Sequence, residues 1–201
     1  MTALSNLHAE IRDCTRCQLH KTRTQAVPGV GPAHAHILVI GEAPGANEDK
    51  QGEPFVGQAG KFLNTLLELA GLKREDVYIT NVVKSRPPEN RDPRPEELAA
   101  CAPWLDQQLA ILKPQVIVTL GRFSMARWFP GASISKIHGQ PRTFGHTVVV
   151  PMFHPAAALH QPKYKTLIEA DFRSLPKILA NTGKVEKAEK PKSDPTQLSM
   201  F

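Results

Sequence analysis

The sequence predicts an α/β fold in which a parallel sheet is covered by helices on both faces. Three observations predict it. Four short apolar runs read as strands, segments with helical spacing separate them, and 201 residues suffice for one medium domain with a real core.

The elements follow in order. "AHILVIGEAPG" (35–45) is an apolar strand running into a Gly/Pro loop. "GKFLNTLLELAGL" (60–72) carries apolar residues at helical spacing, with Gly71 as its stop signal. "DVYITNVV" (76–83) is the second strand. After a Pro-rich loop, "RPEELAACAPWLDQQLAIL" (94–112) reads as a helix despite Pro103, because Pro95 and the acidic pair Glu96 and Glu97 suit a first turn. "PQVIVTLG" (114–121) is the third strand and "RFSMARWF" (122–129) a short helix. "HTVVVPMFHP" (146–155) is the fourth strand, and "YKTLIEADFRSLPKIL" (164–179) a last amphipathic helix. No internal repeat interrupts this alternation. The expected domain is residues 1–180, followed by a charged, flexible tail over 181–201.

Composition narrows the function classes. With 41% hydrophobic and 22% charged residues the chain has a globular make-up, and no apolar run approaches the ~20 residues of a membrane helix. Its start, "MTALSNLHAEIRDC", is no secretory signal, so the cytoplasm is the expected location. Three cysteines, two of them in "CTRC" (14–17) and one at Cys101, argue against a disulfide scaffold and for metal or redox work. A net charge of +6 fits a polyanionic partner, although many proteins that never touch nucleic acid share it.

Open parallel sheets bind ligands at the carboxyl ends of their strands. Here those ends carry "GEAPGANED", "TNVVKSRPPENR", "LGR" and "FHPAAALH". The first is neither a dinucleotide fingerprint nor a phosphate loop, and no GxxxxGK[ST] occurs anywhere, so no nucleotide cofactor is expected. Phe55, between glycines in "GEPFVGQAGK", is either core or a flat surface for stacking a base. Asn81 either stabilises a turn or reads a base edge, since its amide donates and accepts side by side. His154, before Pro155, is either a satisfied structural group or a ligand-contacting donor.

Taken together, these segments resemble the family 4 uracil-DNA glycosylases, the iron–sulfur, thermostable-type branch of the uracil glycosylase superfamily. The resemblance runs from "CTRCQLHKTRTQAVPG" through "GEAPGANED", "PFVGQAGKFLNTLL", "YITNVVKSRPPENRDPRPEELAAC" and "VTLGR" to "SKIHG" and "FHPAAAL", covering roughly residues 5–180. It implies a three-layer α/β/α sandwich on a four-stranded parallel sheet. It also implies a monofunctional, monomeric enzyme of base excision repair that flips uracil out of DNA and hydrolyses its N-glycosidic bond, leaving an abasic site. By the same resemblance, Phe55 stacks on the uracil, Asn81 pairs with its O4 and N3–H, and His154 donates to O2. The backbone of Glu42 and Ala43 lines the pocket, and Glu48 positions water or helps exclude thymine's methyl group. Ala43 stands where the best-known uracil glycosylases hold a water-activating aspartate. Leu159 is the implied duplex wedge, and Lys84, Arg86, Arg91, Lys136 and Arg142 are candidates for phosphate contacts or plain surface charge.

The family holds a 4Fe–4S cluster on four cysteines. Cys14, Cys17 and Cys101 match three of them, but the fourth position is Ser85, a harder and less acidic ligand. A cluster with weak Ser85 ligation, a three-iron or labile cluster, and no cluster all stay open. The closing "TQLSMF" resembles the peptides with which bacterial repair enzymes dock in the sliding clamp, with Gln197, Leu198, Met200 and Phe201 as anchors. The alternative to an enzyme is a uracil-DNA binding protein of the same superfamily that does not turn over. One such branch bonds to DNA through a histidine in a basic insertion after the second strand; "KSRPPENRDPRPEEL" has neither feature, which favours turnover.

Overall fold

The computed structural model describes residues 2–185, and the proposed clamp-binding anchors at 197–201 lie outside them. Four strands form the expected parallel array: β1 (Ile37–Gly41), β2 (Val77–Asn81), β3 (Val116–Leu120) and β5 (Thr147–Met152). A fifth strand, β4 (Arg142–Phe144), extends the sheet, giving the order β2-β1-β3-β5-β4. It pairs antiparallel with β5 through a tight turn at Gly145, which takes a left-handed φ of 60°. Sequence reading missed it because three exposed residues carry no hydrophobic alternation.

The helices α2 (Ala46–Gln51), α3 (Gln58–Leu69), α4 (Pro95–Leu112), α5 (Arg122–Met125), α6 (Ile134–Ile137), α7 (Ala156–His160) and α8 (Lys163–Val185) fill the crossovers and the carboxyl-terminal layer. The last runs six residues past its expected end at 179, to Val185. The sequence reading gave no helix at α2, α6 or α7, which have four to six residues, nor at the longer α1 (Ala3–Arg12). In α1, Thr2 caps the amino end by accepting Ser5 N–H at 3.1 Å, and buried Leu4, Leu7 and Ile11 recur at helical spacing.

The sheet separates two apolar layers. On one face Leu38, Ile40, Tyr78 and Ile117 pack with α1 and α4, through Leu7, Ile11, Trp104 and Leu105. On the other Val39, Ile79, Val118 and Val150 pack with α3 and α8, through Leu63, Leu66, Ile168 and Phe172. Every residue of β1, β2 and β3 is buried, as continuous apolar runs in a doubly covered parallel sheet require. Strand β1 lies between β2 and β3, so the connections leaving it and returning to β3 pass over opposite faces. That reversal opens a crevice at the carboxyl ends of the strands.

Candidate active site

A cavity of about 390 Å³ occupies that crevice. Its lining brings together six residues singled out from the sequence: Glu42 and Ala43 after β1, Glu48 on α2, Phe55 in the following loop, Asn81 ending β2, and His154 after β5. Sequence reading missed Asn90, Ala59, Ala156 and His160, which also line it. For Asn90 a faint signal existed, since asparagine tolerates the left-handed region and here has φ 55°. Leu159 does not line the cavity. It stands 52% exposed on α7 beside it, the most exposed large apolar side chain among the described residues.

Asn81 is 2% exposed, and its side-chain amide has no hydrogen-bond partner among the described residues. Parallel pairing places it level with Gly41, where a Cβ would fall 2.6 Å from Phe55 Cζ and closer still to Asn81 Oδ1. The absent side chain of Gly41 therefore makes the space in which the aromatic ring and the amide meet. Phe55 takes a left-handed φ of 54°, a conformation costly for an aromatic residue and therefore fixed by its surroundings. Glu48 supplies part of that fixation, because its Oε1 accepts the amides of Val56 at 2.9 Å and Gly57 at 2.8 Å. The Phe55 ring stacks on the His154 imidazole, with centroids 5.5 Å apart and planes 27° from parallel.

The state of His154 follows from its neighbours. Ala156 N–H donates to Nδ1 at 3.2 Å, so the ring proton sits on Nε2. Burial lowers its pKa to about 4, with Glu48 opposing weakly, and the imidazole is neutral at ordinary pH. Burial, reinforced by Asp92, raises Glu42 to about 7, while the Arg122 guanidinium pulls the other way. Arg122 also pairs directly with Asp92.

The candidate phosphate contacts fare differently. Lys84 is corrected: it is 2% exposed and cannot reach a phosphate without unfolding its loop. Its Nζ donates to Thr80 Oγ1, the Asn81 carbonyl and Gln108 Oε1 at 2.7, 2.7 and 2.6 Å. Burial draws its pKa down to about 7, with the Cys101 sulfur opposing. Arg91 is held by both oxygens of Glu97, and Arg86 donates to Asn90 Oδ1. Arg142 stands exposed on β4 with its guanidinium over the Phe129 ring, and Lys136 is exposed on α6.

The three cysteines converge at the junction of α1, α4 and the loop after β2. The Cys101 thiol, pushed up by burial, also feels Cys17 and Cys14. Trp104 Nε1–H donates to Cys14 Sγ at 3.2 Å and Lys84 N–H to Cys101 Sγ at 3.3 Å. Ser85 is buried beside them and its Oγ accepts Arg23 Nη1 at 2.8 Å. Among the described residues no group of three or more His, Cys, Asp or Glu is placed to hold a metal ion. No described helix is long and apolar enough to cross a membrane.

Comparison with known proteins adds an independent finding. The family model described as the uracil DNA glycosylase superfamily matches residues 28–175. The chain is 47% identical over 184 residues to the type-4 uracil-DNA glycosylase of Archaeoglobus fulgidus, covering 87% of this chain and 92% of that one. It is 46% identical over 191 residues to the type-4 uracil-DNA glycosylase of Saccharolobus solfataricus, covering 90% and 88%. A type-5 uracil-DNA glycosylase of Thermus thermophilus is 42% identical over 114 residues, covering 49% and 52%.

Proposed function

The chain belongs to the uracil DNA glycosylase superfamily, within its type-4 branch, and excises uracil from DNA; we propose that the crevice at the carboxyl edge of its sheet is where the N-glycosidic bond is hydrolysed. The observation that carries this reading is the Asn81 amide, without a protein partner among the described residues and open to the crevice, beside an aromatic ring and a neutral Nε2–H donor. An amide that faces the crevice without a protein partner is available to a ligand of matching polarity, at a typical net gain of about 0.5–1.5 kcal/mol per hydrogen bond.

A uracil flipped from the duplex stacks on Phe55, an interaction worth about 1–3 kcal/mol per base. Asn81 accepts from N3–H and donates to O4. Cytosine presents the opposite pattern and pairs with neither amide atom in this orientation, so discrimination arises here to the extent that the orientation is held. His154 donates from Nε2 to O2, where negative charge grows as the bond to the sugar breaks. A neutral donor suits this role: it has no proton to surrender at neutral pH, and oxyanion-type donors are worth about 10²–10³ in rate. One oxygen of Glu48 is committed to the loop that presents Phe55, leaving the other to orient the attacking water. With Ala43 in the first motif, catalysis rests mainly on stabilising the departing base and the oxocarbenium-like sugar. Leu159 fills the gap left in the duplex.

Cys14, Cys17 and Cys101 have the donor chemistry of an iron–sulfur cluster and pack at one junction with N–H donors to two of their sulfurs, although they do not stand as a ready-formed metal group; they would hold the cluster, with Ser85 in the position of the family's fourth ligand. When bound, such a cluster would cross-link the amino-terminal segment to α4 and the loop after β2, with no redox step. The closing peptide 197–201 is proposed to dock in the sliding clamp; loss of clamp binding on its deletion is the expected result.

The deciding experiment is Asn81→Ala assayed on a labelled duplex with one U·G pair, followed by alkaline cleavage. Excision is expected to fall at least 100-fold with the thermal midpoint intact. A loss of only a few-fold would place base recognition elsewhere.

A further inference from the structure

The reaction as proposed develops negative charge on the leaving base, yet the side chains around it are neutral or acidic: Asn81, Phe55 and neutral His154, with Glu42 and Glu48. Besides the Arg122 guanidinium that acts on Glu42, a cation lies behind the end of β2. Lys84 is fully enclosed, and no carboxylate pairs with it among its hydrogen-bond partners.

Its charge state follows from counting hydrogens. The Asn81 carbonyl and Gln108 Oε1 can only accept. Thr80 Oγ1 spends its own hydrogen on the Pro28 carbonyl at 2.7 Å, so it too accepts from Lys84. Three acceptors at 2.6–2.7 Å match the three N–H donors of an ammonium and leave one unserved by a neutral amine, so this hydrogen bonding opposes the burial that draws the Lys84 pKa down to about 7. The amide of Gln108 is pinned in the matching orientation, since its Nε2 donates to Pro28 O at 2.8 Å and to Tyr78 Oη at 3.0 Å. Tyr78 in turn meets His8 Nε2 at 2.6 Å. The chain of contacts fixes every acceptor that faces the ammonium.

Alternation along β2 decides what that cation can influence. Tyr78 and Thr80 point toward the α4 side, where Gln108 lies, whereas Ile79 belongs to the opposite layer, so Asn81 projects away from Lys84. The ammonium therefore sits on one side of the strand end and the base-reading amide on the other, joined through the Asn81 peptide. We infer that Lys84 is a positioning residue for uracil release: its ammonium clamps the Asn81 carbonyl and biases the pocket electrostatically toward the departing anion. This inference rests on Asn81 reading the base, as proposed above.

With an effective dielectric near 20, a single buried charge close to a developing anion changes the rate of forming it on the order of tenfold. The test compares two leaving groups in single-turnover excision from otherwise identical duplexes, one holding deoxyuridine and the other 5-fluorodeoxyuridine. Fluorine withdraws charge and stabilises the free-base anion, so that base needs less help from the protein. Lys84→Met is expected to slow uracil excision about tenfold and 5-fluorouracil excision much less. Equal losses on the two bases, or no loss on uracil, would overturn the inference. Should Lys84→Met fail to fold, Lys84→Gln decides the matter: it removes the charge while keeping N–H donors for the same acceptors, and the same unequal losses are expected. Asn81→Ala run alongside separates the two ideas, because an active Asn81→Ala enzyme would refute the pocket assignment whatever Lys84 does.

Discussion

Gly41→Ala tests the pocket with a single methyl group. The strand backbone at Gly41 is not in the left-handed region, so alanine brings no conformational strain and the effect is one of space. The new Cβ would lie 2.6 and 2.7 Å from Cζ and Cε2 of Phe55, and nearer still to Asn81 Oδ1. Ordinary contacts begin near 3.4 Å, so ring and amide must each retreat by most of an ångström. Neither has an easy route. Gly60 at the start of α3 presses on the backbone of Phe55, where its own Cβ would overlap the carbonyl group, and Asn81 is anchored by β-pairing and by Lys84. Overpacking of this kind costs about 1–3 kcal/mol of stability, whereas a misplacement near 1 Å at a reacting centre costs about 100-fold in rate. The expected result is a modest fall in thermal midpoint with excision from U·G duplexes reduced at least 100-fold. Folded Gly41→Ala enzyme retaining excision within threefold of the parent would refute the claim that Phe55 and Asn81 hold the base.

Three further predictions follow from the same geometry. His154 should remain a neutral Nε2–H tautomer at pH 6, read from long-range nitrogen–proton correlations, and titration near 6.5 would contradict its placement; because its folded pKa is depressed to about 4, its contribution to stability is present above the unfolded value of 6.5 and is lost as pH falls from there toward 4. Leu159→Ala should slow excision from duplex several-fold more than from single strands, since only the duplex leaves a gap to fill; equal losses on both would remove it as a wedge. Anaerobically purified protein should carry iron and sulfide and absorb near 400 nm, and Ser85→Cys should slow loss of that absorbance in air; metal-free protein of unchanged stability would dismiss the cluster.

The pattern of four buried strands was legible because a parallel sheet covered on both faces leaves continuous apolar runs in the sequence. Its carboxyl edge could therefore be located, and Glu42, Phe55, Asn81 and His154 fall where strand ends and glycine-rich turns said they would. What stayed hidden depends on three-dimensional pairing. Lys84 looked like a surface cation because lysine is almost never fully buried, and nothing local in "NVVKSR" announces Gln108 waiting 24 residues on. The bidentate grip of Glu97 on Arg91 is equally silent in sequence, as is the tautomer of His154, set by an amide two residues away. Helix α1 was readable in principle from Leu4, Leu7 and Ile11, but a polar, ten-residue segment gives a weak periodic signal.

The family model begins at residue 28, yet the segment before it reaches the helix and the strand end that flank the pocket. Thr24 N–H donates to both carboxylate oxygens of Asp49, and Gln25 to the Lys50 carbonyl, tying down the helix that carries Glu48. Val27 N–H donates to the Lys84 carbonyl at 2.7 Å, Arg23 to Ser85, and His8 meets Tyr78. Cys14 accepts from Trp104 on α4. These contacts bridge residues far apart in the chain, so each closes a loop whose ordering costs entropy that local packing of a short polar segment cannot offset. A cluster held by Cys14, Cys17 and Cys101, as proposed above, would act where that deficit is largest, joining the amino-terminal segment to the helix behind Lys84 and Asn81. On this proposal the cysteines would serve uracil excision indirectly, by keeping the amino-terminal segment clasped around α2 and the end of β2. The hydroxyl of Ser85, already bound to Arg23 of the same segment, contributes to that clasp through a hydrogen bond of its own.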